Sequence, residues 1–152
     1  MSISKLSIVC SAVLAIGLVA YAAEEKAKAF KASCPLSGKA ALEDKTADYK
    51  GGKVYFCCEN CPKAFAKDPA KFATKANQQL VATGQTTQAK CPLTGGKLNP
   101  DASLEIGGAK VNFCCNNCKG KVAEAKGDAQ ADLVFSDAAF TKGGFEVKKA
   151  AK

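Results

Sequence analysis

Two stretches of the chain carry the same alternation of apolar and polar positions. The first is Tyr49-Lys50-Gly51-Gly52-Lys53-Val54-Tyr55-Phe56 and the second is Leu104-Glu105-Ile106-Gly107-Gly108-Ala109-Lys110-Val111-Asn112-Phe113. Gly-Gly between alternating apolar runs predicts a β-hairpin in each. Side chains on a strand alternate between faces, so Val54 and Phe56 share one face, as do Val111 and Phe113; these are the candidate core positions. Each hairpin runs into a cysteine cluster and then into a helical pattern. In the first copy Pro62 suits the start of a helix, Ala64-Phe65-Ala66 continue it, and Asp68-Pro69 interrupts it, with Asp68 placed to cap a restart at Lys71-Phe72. Phe65 and Phe72 are spaced to fold onto the hairpin. The second copy has Lys119-Gly120-Lys121-Val122 here, with Gly127-Asp128 in place of the break. Phe135, Phe140 and Phe145 are expected to pack back on the domain. Ahead of each hairpin, Cys-Pro-Leu-[Ser/Thr]-Gly predicts a tight turn, because Pro fixes one dihedral and Gly permits positive φ; such a turn can aim backbone amides at the Cys sulfur. A loop is expected between turn and hairpin. The fold class is therefore α+β: two small modules, each a turn, a hairpin and one or two short helices.

The ends and joints follow from composition. Residues 1–22 read as a secretory signal peptide: Lys5, an apolar run from Leu6 to Ala20, and Ala20-Tyr21-Ala22 just before Glu24-Glu25-Lys26. The apolar run is shorter than the ~20 residues a spanning helix needs, so no membrane span is expected after cleavage. The mature chain is expected in the periplasm or outside the cell. Residues 23–32 form an Ala/Lys/Glu-rich leader, 33–80 the first module, 81–90 a Thr/Gln/Gly/Ala-rich linker, 91–147 the second module with a C-terminal extension, and 148–152 a solvated tail. A unit of ~50 residues cannot easily bury enough core without staples, and the cysteines are the obvious staples.

The chain has no His, no Arg and no Trp. Without His, c-type haem attachment, histidine-ligated metal sites and every Cys-His nucleophile are excluded. Without Arg, bidentate recognition of guanine or phosphate is lost. The net charge of +8, or +7 once Lys5 is removed, comes from Lys spread along the chain with almost no aromatic platform, which reads as a solvated surface and not as a nucleic-acid site. No paired carboxylates, phosphate loop or nucleophile elbow is present, and no catalysis is expected.

The strongest chemical signal is in the thiols. Of nine cysteines, Cys10 falls in the signal segment. The other eight form two sets, Cys34, Cys57, Cys58, Cys61 and Cys91, Cys114, Cys115, Cys118, each member displaced by 57 residues. From Cys34 to Cys61, 13 of 28 positions match the second copy without a gap, so the two halves are copies of one unit. Cys57 and Cys58 lie four and three residues before Cys61, at a strand-to-helix junction, where either pair can point to one centre. Cys34 arrives from the turn, so three or four sulfurs converge from two segments. Zn2+ takes four ligands tetrahedrally, Cu+ accepts thiolate-rich sites, and a helix N-terminus with nearby Lys favours thiolate. Two other readings stay open. In an oxidising compartment the thiols could staple a structural or interaction protein as disulfides, although adjacent Cys57 and Cys58 fit disulfide geometry badly. Cys58-Glu59-Asn60-Cys61 and Cys115-Asn116-Asn117-Cys118 could also exchange disulfides, but the alternating strands and helices of a thioredoxin-like unit are missing. Asn60 and Asn117 read as helix caps.

CPLSG with KVYFCCENC and KAFAKDPAKF, and CPLTG with KVNFCCNNC, resemble the TRASH/YHS-like group of small treble-clef metal-binding domains. The resemblance covers nearly all of the first unit (Cys34–Phe72) and the first half of the second (Cys91–Cys118). The group's pattern, one Cys, a gap of about twenty and then C-x3-C, maps onto Cys34, Cys57, Cys61 and onto Cys91, Cys114, Cys118. Four-cysteine members often carry a second Cys three residues after the first; this chain has Ser37 and Thr94 there, leaving Cys58 and Cys115 as a fourth sulfur or as spare thiols. The resemblance implies one thiophilic ion per module, Zn2+ or Cu+, and a role in heavy-metal sensing, trafficking or resistance, with a metal-transport or envelope protein as partner.

Overall fold

The computed structural model describes residues 31–148. The segment expected as a signal peptide, 1–22, and most of the expected leader and tail lie outside the described residues. The first unit holds strands β1 (Leu42–Tyr49) and β2 (Gly52–Phe56), helix α1 (Asn60–Lys67), a 3-10 turn (Ala70–Phe72) and helix α2 (Ala73–Ala82). Strand β3 (Thr86–Gln88) follows, then β4 (Asn99–Ile106), β5 (Ala109–Phe113), α3 (Asn116–Glu124), α4 (Gly127–Phe135), α5 (Asp137–Lys142) and β6 (Phe145–Val147). The strands pair as three antiparallel two-stranded sheets, β1-β2, β4-β5 and β3-β6. No helix among the described residues is long and apolar enough to cross a membrane.

The duplication in sequence is a duplication in structure. Both hairpins carry a register irregularity at equivalent places, Leu42/Thr46 and Asn99/Ser103. Both are preceded by an isolated bridge, Ser33 with Ala40 and Lys90 with Lys97. The inward faces are those the alternation predicts: Val54, Phe56, Val111 and Phe113 are all fully buried. The hairpins are longer than the apolar pattern indicates, because residues 42–48, expected as loop, form most of β1. This strand is charged, with half its residues exposed and none fully buried, so its pairing leaves no hydrophobic alternation in the sequence; charged residues also guard an open sheet edge.

In the first hairpin the turn residues are Lys50 and Gly51, with φ of 51° and 85°, in place of the expected Gly51-Gly52. They match Gly107 and Gly108, φ 54° and 81°, the paired positive-φ positions of a two-residue hairpin turn. Gly52 is needed for a different reason: a Cβ there would come within 2.8 Å of Leu80 Cδ2 on α2.

Each unit has its own apolar cluster. Cys34, Val54, Phe56, Phe65, Ala76 and Leu80 form the first, and Phe65 meets the rings of Phe56 and Tyr49 at 5.4 Å. Asp68 accepts from the Lys71 N–H at 3.3 Å at the predicted break, but the chain restarts as the 3-10 turn with Pro69, not Asp68, at its cap position. In the second cluster Val122 stands where Phe65 does, and Phe135, Phe140 and Phe145 fill the remaining space, with Phe140 and Phe145 stacked at 5.0 Å. Asn60 and Asn117 do not cap: the residues at the cap positions are Glu59 and Cys115, and neither end has a side-chain cap bond.

The stretch 81–90 is more ordered than its linker composition implies. It contains the end of α2 and all of β3. Val81 and Ala82 pack against the second cluster, while Val147, at the end of β6, packs against the first. The leader's last residue, Ala32, is buried and its carbonyl accepts from Ala41 N–H at 2.8 Å. Lys148, first residue of the tail, donates its N–H to Gln85 O at 2.8 Å. Asn77, fully buried on α2, ties the units together: its amide donates to Phe135 O and to Asp137 Oδ1, both at 2.8 Å, and accepts from Lys50 Nζ at 3.1 Å.

Candidate metal centres

Cys34 is delivered by the turn. Gly38, at φ 70°, lets its own N–H reach Cys34 O at 2.9 Å while Cys34 N–H bonds Lys39 O at 2.7 Å. The second unit repeats this with Gly95 N–H to Cys91 O at 2.7 Å and Cys91 N–H to Gly96 O at 2.9 Å. Cys57 follows directly on β2 and Cys61 sits in the first turn of α1; Cys114 and Cys118 follow β5 and enter α3 in the same way.

These positions bring three sulfurs together in each unit. The Sγ atoms of Cys34, Cys57 and Cys61 lie within 4.8 Å of one another, and so do those of Cys91, Cys114 and Cys118. Cys57 and Cys61 are 3.7 Å apart at sulfur, Cys114 and Cys118 3.6 Å. The edge of a tetrahedron with Zn–S bonds of ~2.3 Å is about 3.8 Å, so the spacing suits a metal ion, whereas a disulfide needs ~2.05 Å. All eight described cysteines are free. Cys58 and Cys115 are not members of the triads. Cys58 is exposed, its Sγ 3.4 Å from that of Cys61; Cys115 is half-buried, its Sγ 3.7 Å from that of Cys114.

A hydroxyl closes each triad on the turn side. Ser37 Oγ lies 3.2 Å from Cys57 Sγ, and Thr94 Oγ1 lies 3.4 Å from Cys114 Sγ. Burial pushes the Cys34 thiol up, but the Ser37 hydroxyl and the backbone N–H groups of Cys57, Ser37 and Leu36 outweigh it and hold the thiol at about 7. Cys91 is held at about 7 in the same way, against burial, by Thr94 and the N–H groups of Cys114, Thr94 and Leu93. The turn therefore does aim amides at the sulfur. The helix start does not make every thiol acidic: burial, and then the neighbouring thiols, push Cys61 well above the usual range and Cys118 to about 12. One sulfur of each triad is prepared as thiolate while another resists ionising beside it. Three thiolates this close repel one another, and a cation in their midst removes that conflict.

Residues the sequence did not single out hold the triads in place. Gln79 is almost fully buried; its amide accepts from Tyr55 N–H at 2.7 Å and donates to Tyr55 O and Ser33 O, both at 2.8 Å. Ser33 precedes Cys34, and Tyr55 stands two residues before Cys57, so one side chain ties together the segments that supply all three sulfurs. The second unit has the same clamp from a different element. Gln88, on β3, accepts from Asn112 N–H at 2.9 Å and donates to Asn112 O at 2.7 Å and Lys90 O at 2.9 Å. Gln85 pairs with Lys53 N–H and O at 2.7 Å and extends the same edge of β2. Nothing in a polar Thr/Gln run signals such a role. The chain matches no protein-family model, no curated protein and no solved structure.

Proposed function

We propose that this is an exported metal-handling protein that carries one thiophilic ion, Zn2+ or Cu+, in each of two TRASH/YHS-like modules. The observation that carries the reading is the convergence of Cys34, Cys57, Cys61 and of Cys91, Cys114, Cys118 into two groups of equivalent geometry. These are the positions at which the resemblance places ligands.

The chain's own groups divide the work. Cys34 and Cys91, held near neutrality by amides and a hydroxyl, offer the first negative sulfur. Cys57 and Cys114 are half-buried, each with a turn hydroxyl beside its sulfur. Cys61 and Cys118 give up their protons only against a positive charge, so uptake releases protons and strengthens as pH rises. The bound ion supplies that positive charge. Soft thiolates select Cu+ or Zn2+ over the hard ions Mg2+ and Ca2+. A site with three protein sulfurs leaves room for a further ligand, and such an opening suits an ion in transit to a metal-transport or envelope protein.

The test is to isolate the protein from its native host without chelator and measure metal and free thiol together. One soft ion per module with eight free thiols is the expected result. Metal-free protein with all thiols bridged would refute the reading and leave a disulfide-stapled scaffold.

A further inference from the structure

We infer that Cys58 and Cys61 form a redox site in the first module, a dithiol that closes to a disulfide and thereby withdraws one sulfur from the triad. The inference rests on the reading of the triads as ion sites. Cys34 is 1% exposed and Cys57 is covered by the Ser37 hydroxyl at 3.2 Å, whereas Cys58 is the exposed thiol of the set. Its sulfur is closer to Cys61 Sγ, at 3.4 Å, than Cys57 Sγ is, at 3.7 Å. Cys58 therefore meets an oxidant first, and its natural partner is a triad member. The two stand three residues apart across the start of α1, a spacing that bridges without unfolding the helix. In the second module Cys115 faces Cys118 as well as its chain neighbour Cys114, the latter at 3.7 Å, but it is half-buried where Cys58 is exposed. The first module is thus the one built to respond.

The oxidant is a low-molecular-weight disulfide, RSSR. The Cys58 thiolate attacks one sulfur, forming Cys58–S–S–R and expelling one RSH after protonation. The Cys61 sulfur then attacks the Cys58 sulfur, forming the Cys58–Cys61 bond and expelling the second RSH. Two protein thiols lose two electrons and two protons, and RSSR gains both. Only Cys34 and Cys57 remain to hold an ion.

The experiment uses reduced, full-length protein loaded with Zn2+ and exposed to oxidised glutathione, with disulfides mapped by peptide mass spectrometry and free Zn2+ followed by a chromogenic chelator. The expected first product links Cys58 to Cys61 and accompanies loss of one ion, and Cys58→Ser binds two ions when reduced but releases the first at least about tenfold more slowly. A first disulfide that joins Cys61 to Cys57 or Cys34, or equal release from Cys58→Ser, overturns the inference. If the reduced protein takes up no Zn2+, the ion-site reading fails, while the disulfide map of the ion-free protein still decides whether Cys58 and Cys61 are the reactive pair.

Discussion

Replacing Gln79 by Leu keeps most of the side-chain volume and deletes the amide that clamps the first triad. Three hydrogen bonds are lost, from Tyr55 N–H and to Tyr55 O and Ser33 O, all between 2.7 and 2.8 Å. Each contributes a net ~0.5–1.5 kcal/mol, so the change should cost about 2–4 kcal/mol. The side chain is only 3% exposed, and water does not easily replace the lost partners. The loss should appear as a lower urea midpoint for reduced, metal-free protein at unchanged slope. It should also loosen the first ion site, because the strand edge before Cys57 and the residue before Cys34 are no longer held together. Gln79→Glu retains an acceptor for Tyr55 N–H but sets a carboxylate against two carbonyl oxygens, and should be no better than Leu. A cost below about 0.5 kcal/mol for Gln79→Leu, within the range of an ordinary surface substitution, would refute the clamp.

Gln88→Leu should weaken the second module by less, about 1–2 kcal/mol by the same assay, because Gln88 is only half-buried and water can take over part of its bonding. Phe113→Ala should cost about 3–5 kcal/mol, since the ring is fully buried at the centre of the second cluster; a stability change under 1 kcal/mol would place the core elsewhere. Asp137 is held below the usual carboxylate range by Lys50 and then Asn77. Its contribution is therefore present in full above the unfolded carboxylate pKa of ~3.9 and is lost as pH falls toward the lower folded value. Asp137→Asn should flatten the fall in urea midpoint between about pH 5 and pH 3, by less than about 1 kcal/mol because the carboxylate is more than half exposed, and an unchanged pH profile would contradict the link.

The parts of this fold that were legible in the sequence are those where one local rule decides. The Cys-Pro-Leu-[Ser/Thr]-Gly turn, the buried faces at Val54, Phe56, Val111 and Phe113, and the break at Asp68 each follow from spacing within a few residues. The 57-residue offset also held information that the Gly-Gly signal obscured: aligned on Gly107-Gly108, the first turn falls on Lys50-Gly51. What stayed hidden depends on contacts distant in sequence. Strands β3 and β6 are three residues each and pair across almost sixty residues. The Gln79 and Gln88 clamps come from different elements and share no register. The spacing allowed all eight cysteines as ligands; adjacent residues at the end of a strand point to different sides, so Cys57 turns inward and Cys58 outward, and only the packed structure says which.

The most direct test of the central claim is a titration of reduced full-length protein with Co2+ under anaerobic conditions, following sulfur-to-metal charge-transfer absorption, alongside Cys34→Ser and Cys91→Ser. Saturation is expected at two ions in the parent chain, at one in each single variant, and at none in the double variant. Two ions bound with unchanged spectra in the double variant, or no charge-transfer band in the parent chain, would contradict that claim.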